Sequence, residues 1–194
     1  MKTFNQTRKV FFILLAFLTL NGCAAALIGG AATGASVAND RRTTGTVIED
    51  QSIELKAYQF LEEDQEINKS AHVNVTSYNL VVLVSGEAPN EAARERIINI
   101  VRDVPKVTNV YNELTIGAPS TLSSRSSDTL ITSKVKTKLF GMENFDATRV
   151  KVVTEKGVVY LMGLLTKDEA ERVTEAARRV GGVQKVVKLF QYIK

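Results

Sequence analysis

From Asp50 onward the chain reads twice, and this repeat fixes most of what it can fold into. Leu80-Val81-Val82-Leu83-Val84-Ser85-Gly86 aligns with Gly157-Val158-Val159-Tyr160-Leu161-Met162-Gly163 at an offset of 77. Upstream, Ile53, Ala57 and Leu61 match Ile131, Val135 and Leu139 at an offset of 78; downstream, Val104, Val107 and Val110 match Val180, Val183 and Val186 at 76. A drift of one residue between elements places the length changes in loops. Two copies fall short of the ~3 that a solenoid needs, so the chain carries a tandem pair of units, Ser52 to Ile116 and Asp128 to Ile193.

Both copies present the same order of elements. The first segment of each has apolar residues at i, i+4 and i+8, a helical stripe. Val73 and Val75, and again Val150 and Val152, alternate with polar residues as in a strand. Turns at Ser77-Tyr78-Asn79 and Glu155-Lys156-Gly157 fold the next apolar run back as a hairpin, and Asn79 and Gly157 suit the positive φ such turns require. A second helix starts after Asn90 and near Thr166, where Thr166 and Glu169 have the capping-box spacing. Its inner face is predicted to be Ala93, Ile97, Ile100 and Val101, or Ala170, Val173, Ala177 and Val180. Val104-Pro105 and Gly181-Gly182 end these helices, and third strands follow over Val107–Ile116 and Val183–Ile193. The expected class is α+β: two αββαβ domains, each a three-stranded mixed sheet with two helices on one face.

Ahead of the repeat, Arg8 and Lys9 precede an apolar run from Val10 to Leu20, and a small residue precedes Cys23, the only cysteine. A basic start, short apolar core and small residue describe a secretory signal peptide over 1–22; the run is about half the ~20 residues that a membrane span needs. One cysteine leaves no disulfide. Leu20-Asn21-Gly22-Cys23 resembles the bacterial lipobox, with Asn21 where Ala or Ser is commoner. That resemblance implies cleavage before Cys23, a diacylglyceryl group on its thiol and an acyl group on its new amine, and no other cofactor. Ala24, in place of an Asp resembling an inner-membrane retention signal, points to the outer membrane, with the chain facing the periplasm. Residues 24–38 are small and glycine-rich; Gly30 and Gly34 form a G-x-x-x-G that suits helix dimerisation in a span, but after a lipidated cysteine they read as tether. The domain plan is therefore 23–50 lipidated cysteine and flexible tether, 51–117 first domain, 118–127 linker and 128–194 second domain.

Charge separates the two copies. Without residues 1–22 the net charge falls from +4 to +1, so the whole-chain value says little about partners. Residues 52–116 carry six Lys/Arg and ten Asp/Glu, whereas 128–194 carry thirteen and eight. An anionic bilayer would attract the second copy by about 1 kcal/mol per basic residue close to the surface, within a Debye length of ~8 Å. On the first helix of the second copy, Ile131, Val135 and Leu139 face the core, while Leu130, Lys134 and Lys138 form a neighbouring ridge. Phe140 lies further round and Lys136 near the core stripe. Apolar side chains beside lysines suit a lipid interface; by itself, a lysine run is also read as a solvated helix face.

Gly86 and Gly163 ending the second strand before an acidic helix start, together with Val107-Thr108-Asn109-Val110-Tyr111-Asn112-Glu113 and Asp128-Thr129-Leu130-Ile131-Thr132-Ser133-Lys134-Val135, resemble the BON domain of bacterial envelope proteins. Two such domains behind a lipobox look like the dual BON-domain outer-membrane lipoproteins associated with division and envelope stress. The resemblance implies no enzyme activity, and binding of anionic phosphatidylglycerol through the second domain in support of envelope integrity at division sites. It turns the lysine ridge toward lipid, with Leu130, Lys134, Lys136, Lys138 and Phe140 as the candidate contacts. A reading from another class is an adaptor whose acidic first domain recruits an envelope-assembly, division-site or cell-wall protein.

Catalysis and metal chemistry find little support. His72 is the single histidine, the hydroxyls have no evident base, and acidic pairs such as Glu62-Glu63 and Asp168-Glu169 stand at helix ends, where carboxylates suit turns and helix dipoles. The basic copy lacks the aromatic interleaving of nucleic-acid binders. The linker, 117–127, admits both fixed and mobile placements of the two domains.

Overall fold

The computed structural model describes residues 40–194. The expected signal peptide, Cys23 and the tether through residue 39 lie outside the described residues. The first copy comprises α1 (Thr44–Glu63), α2 (Gln65–Ser70), β1 (His72–Tyr78), β2 (Val81–Ala88), α3 (Glu91–Arg102) and β3 (Asn109–Ile116). The second comprises α4 (Leu122–Phe140), a 3-10 turn (Ala147–Arg149), β4 (Val150–Glu155), β5 (Val158–Leu165), α5 (Lys167–Arg178) and β6 (Lys185–Tyr192). Each sheet has its second strand in the middle, antiparallel to the first strand and parallel to the third. The expected αββαβ order holds, with α2 an unforeseen extra turn of helix in the first copy. Asp64 caps it by accepting from the Glu66 and Ile67 amides.

Helix starts follow side-chain chemistry. Asn90 accepts from Ala93 N, and Thr166 and Glu169 form the expected reciprocal capping box, which satisfies amides that have no partner inside the helix. Both hairpins turn on two positive-φ residues, Asn79 and Leu80 in one and Lys156 and Gly157 in the other, the backbone of a type I′ turn. Leu80 is costly in that conformation. A buried aspartate stabilises each turn from the neighbouring helix. Asp50 accepts from the Asn79 and Leu80 amides at 2.8 Å, and Asp128 accepts from Lys156 and Gly157 at 2.9 and 2.8 Å.

Gly86 and Gly163, expected to end the central strands, lie two residues inside them, since β2 runs on to Ala88 and β5 to Leu165; both glycines have a steric cause. A β-carbon on Gly86 would stand 2.0 Å from the His72 carbonyl oxygen, at a φ of +116°. On Gly163 it would stand 2.8 Å from the Arg149 carbonyl oxygen. Backbone of β1 in one domain, and of the 3-10 turn leading into β4 in the other, therefore crowds any side chain at these positions.

Each domain has its own core on the helix-covered face of its sheet. Ile53, Ala57 and Leu61 pack with Val82, Val84, Ile97 and Val101; Ile131, Val135 and Leu139 pack with Val159, Leu161, Val173 and Ala177. On α3 the buried position is Ile98, and Ile100, expected inside, is only partly covered. Val180, expected on the inner face of the second copy, lies past the end of α5 and is likewise partly buried.

A third cluster joins the domains. Leu83, Tyr160 and Met162 alternate with core residues along their strands and so point to the opposite faces, where they pack with Tyr78 and Leu189. The two sheets thus face each other, with helices outside. Polar contacts around this seam recur with an approximate two-fold relation: Asn79 Nδ2 donates to Gln191 Oε1 at 2.7 Å, and Lys156 Nζ to Thr115 Oγ1 at 3.3 Å. Tyr78 donates to the Arg149 carbonyl at 3.0 Å, and Lys151 pairs with Glu54 at 2.8 Å. In this structure the two domains pack against each other through this seam.

Two expectations about chain flexibility are corrected. Most of the expected linker 118–127 is helical, because α4 starts at Leu122 behind a Thr121 cap. Its serines bond back to the helix, Ser126 Oγ to the Leu122 carbonyl and Ser127 Oγ to that of Ser123. The end of the expected tether is also ordered: α1 starts at Thr44, and Arg41 and Arg42 enter ion pairs just before it.

Candidate lipid-binding site

The outer side of α4 carries three of the five candidate residues on one feature. Leu130, Lys134 and Lys138 line an open groove of about 600 Å³ with Ser133, Thr137, Gly141, Met142 and Val180. The groove has a local cause in the sequence. Ser133, Thr137 and Gly141 recur every four residues, so they stack on one helix face and leave a low row beside the Leu130–Lys138 ridge. Met142 after α4 and Val180 after α5 supply apolar wall. Leu130 is 61% exposed, a large aliphatic side chain with no cover.

The other two candidates lie elsewhere. Phe140 is 65% exposed at the end of α4 and is not among the residues lining the groove. Lys136 points to a polar cleft between the domains, lined also by His72, Asn74, Arg125, Asp128, Thr132 and Glu155. Two residues further along a helix from Lys134 is a turn of about 200°, which carries it away from the ridge.

Sequence reasoning missed Ser133, Thr137, Gly141, Met142 and Val180, although the four-residue spacing of small side chains was a readable signal. The matching helix of the first copy differs in sequence. At the offset of 78, Leu55 and Gln59 replace Ser133 and Thr137, and Glu63 and Asp64 replace Gly141 and Met142. Larger side chains and two acids there replace the small row, while Lys56 stands where the second copy has Lys134.

Positive charge continues beyond the groove. A neighbouring depression shares Lys138 and Met142 and adds Arg172 from α5 and Arg179 just past its end, with Glu143 and Glu175. Arg179 contacts Glu175 at 3.2 Å, and Arg172 donates to the Glu143 carbonyl at 2.6 Å. The arrangement combines an apolar trough with ammonium groups on its rim, suited to aliphatic chain below and anionic headgroup above.

Other perturbed groups serve the seam between domains. Burial pushes the Tyr160 phenol up. Burial also raises the Glu155 carboxyl, against the hydrogen bond from Asn74. Glu87 is held below the usual carboxylate range: burial opposes its ionisation, but Lys156, the Ser120 amide and His72 outweigh it. Among the described residues, no helix is long and apolar enough to cross a membrane.

Known proteins share this plan. The family model described as "BON domain" matches residues 49–118 and 127–194. The chain is 39% identical to "Outer membrane lipoprotein DolP" of Haemophilus influenzae over 191 residues, 98% of this chain and 99% of that protein. It is 37% identical to "21 kDa hemolysin" of Actinobacillus pleuropneumoniae, across 80% of each. It is 28% identical to "Osmotically-inducible protein Y" of Escherichia coli, across 79% of this chain and 77% of the other. On the doubled domain match and the nearly full-length likeness, the chain belongs to the BON-domain family, within its tandem-domain outer-membrane lipoproteins.

Proposed function

We propose that this chain is a non-enzymatic lipoprotein of the outer membrane, anchored through lipid on Cys23 and facing the periplasm, whose second domain binds anionic phospholipid. The observation that carries this is the groove of Leu130, Lys134 and Lys138 over Ser133, Thr137 and Gly141. On the matching face of the first copy Leu55, Gln59, Glu63 and Asp64 replace the small row and Met142, which supports assigning lipid recognition to the second domain. Phosphatidylglycerol is the headgroup that the family resemblance implies, and support of envelope integrity at division sites is the role it implies. The covalent lipid sets where the protein resides; the groove gives it a second, selective contact.

The test is sedimentation of the two-domain unit, Asn39–Lys194, with vesicles. Binding to phosphatidylglycerol vesicles that weakens as salt rises, with little binding to phosphatidylcholine, is expected. Equal indifference to both vesicles would remove lipid recognition from the account.

A further inference from the structure

His72 and Glu87 are direct cross-strand partners on β1 and β2, and the seam between the sheets brings Glu155 of the second domain to them. One ligand atom from each of the three lies within 4.8 Å of the others. We propose that His72, Glu87 and Glu155 form a binding site for a divalent transition-metal ion, of the zinc type, that joins the two domains.

Three observations carry this. The donor set is one imidazole and two carboxylates, a combination that zinc accepts with water in its remaining position. Bonds of 2.0–2.2 Å in a tetrahedron put ligand atoms ~3.3 Å apart, so small side-chain adjustments suffice. The donors are also held from behind: Asn74 Nδ2 donates to Glu155 Oε2 at 3.0 Å, and the Ser120 amide to Glu87 Oε2 at 3.1 Å. Such outer hydrogen bonds orient metal ligands. His72 and Glu155 open onto the polar cleft of about 430 Å³, which provides an entry path and room for water.

The state of Glu87 supplies the third observation. Its side chain is fully buried, yet Oε1 has no aligned hydrogen bond. Lys156 Nζ pairs with that oxygen at 2.7 Å from a side chain that is 44% exposed, while His72 Nδ1 lies 3.0 Å from the other oxygen. A buried carboxylate oxygen satisfied only by a lysine that can swing into solvent is a position that a cation can take over. Binding at these residues would link β1 and β2 of the first domain to the β4 end of the second, so the ion would hold the seam closed.

The experiment is isothermal titration of zinc chloride into the full-length, untagged protein in detergent, beside thermal melts with and without zinc. One equivalent should bind, and saturating zinc should raise Tm. His72→Ala and Glu155→Gln should each weaken binding at least tenfold, while Lys156→Met, which removes the competing ammonium, should strengthen it severalfold. Melts without zinc show whether a variant is folded, and Lys156→Met tests the site without deleting a ligand. Absence of a stoichiometric zinc site in the wild-type chain would overturn the proposal. So would retention of wild-type affinity in folded His72→Ala and Glu155→Gln.

Discussion

Arg41 and Glu169 stand 128 residues apart and meet as a two-bonded ion pair, Nη1 to Oε2 at 2.6 Å and Nη2 to Oε1 at 2.8 Å. Arg41 also donates to the Leu164 carbonyl at 2.8 Å, and Arg42 beside it lies over the Tyr78 ring at 4.0 Å. The chain segment that leads in from the expected anchor is thus fastened to the second domain before it enters the first.

This pair makes stability pH-dependent in a defined window. Chiefly through the Arg41 guanidinium, the Glu169 carboxyl is lowered to about 2 from a usual 4.5. A depressed folded-state value gives stability that is fully present above about pH 4.5 and lost as pH falls toward 2. The full shift corresponds to roughly 3–4 kcal/mol at ~1.4 kcal/mol per unit, an upper bound on what the charge contributes. Glu169→Gln keeps a side chain able to complete the capping box and removes the charge. Urea denaturation at pH 7 should find it less stable by about 1–3 kcal/mol, with the gap to wild type closing between pH 4.5 and 2. A gap independent of pH would assign the loss to packing instead.

The sheet-to-sheet seam should make the two domains unfold together. Leu83 is fully buried there, and Leu83→Ala is expected to cost about 2–5 kcal/mol. Calorimetry should show one transition for the wild type, shifted down in the variant. Two separated transitions in the wild type would contradict a seam that couples the domains.

The repeat, core stripes, capping box and hairpin turns were legible because each follows from local spacing or local chemistry. The seam was not. Leu83, Tyr160 and Met162 sit in apolar runs that look the same whether the strand's second face meets a helix, another sheet or a membrane. Long-range partners were likewise invisible: nothing beside Arg41 names Glu169, and nothing beside His72 names Glu155. The serine-rich start of α4 looked like linker because serine is a weak helix former; back-bonding to carbonyls one turn earlier, and a Thr121 cap, are three-dimensional facts. At the groove, the ridge of Leu130, Lys134 and Lys138 was legible from helical period, but Lys136 was carried away by the same period.

Gly86 and Gly163 should differ in tolerance. Gly86 combines a positive φ with the closer backbone approach, whereas Gly163 meets only a 2.8 Å approach. Gly86→Ala should therefore lower Tm more than Gly163→Ala, and both should lose stability, although at an unstrained site the same exchange gains about 0.5–1 kcal/mol. Thermal melts of the pair check the order; equal, near-zero shifts would mean that the strands can move apart at no cost.

Lipid recognition by the α4 groove is tested most directly by Leu130→Glu in the two-domain unit, measured by sedimentation with phosphatidylglycerol vesicles. Leu130 is exposed and outside the core, so the fold and Tm should stay as in the wild type. Bound protein should fall at least tenfold, since the change removes a lipid-facing aliphatic group and adds a repelling charge. Ser52→Glu, at the matching position of the first copy, should bind as the wild type does. Undiminished vesicle binding by folded Leu130→Glu would contradict the account.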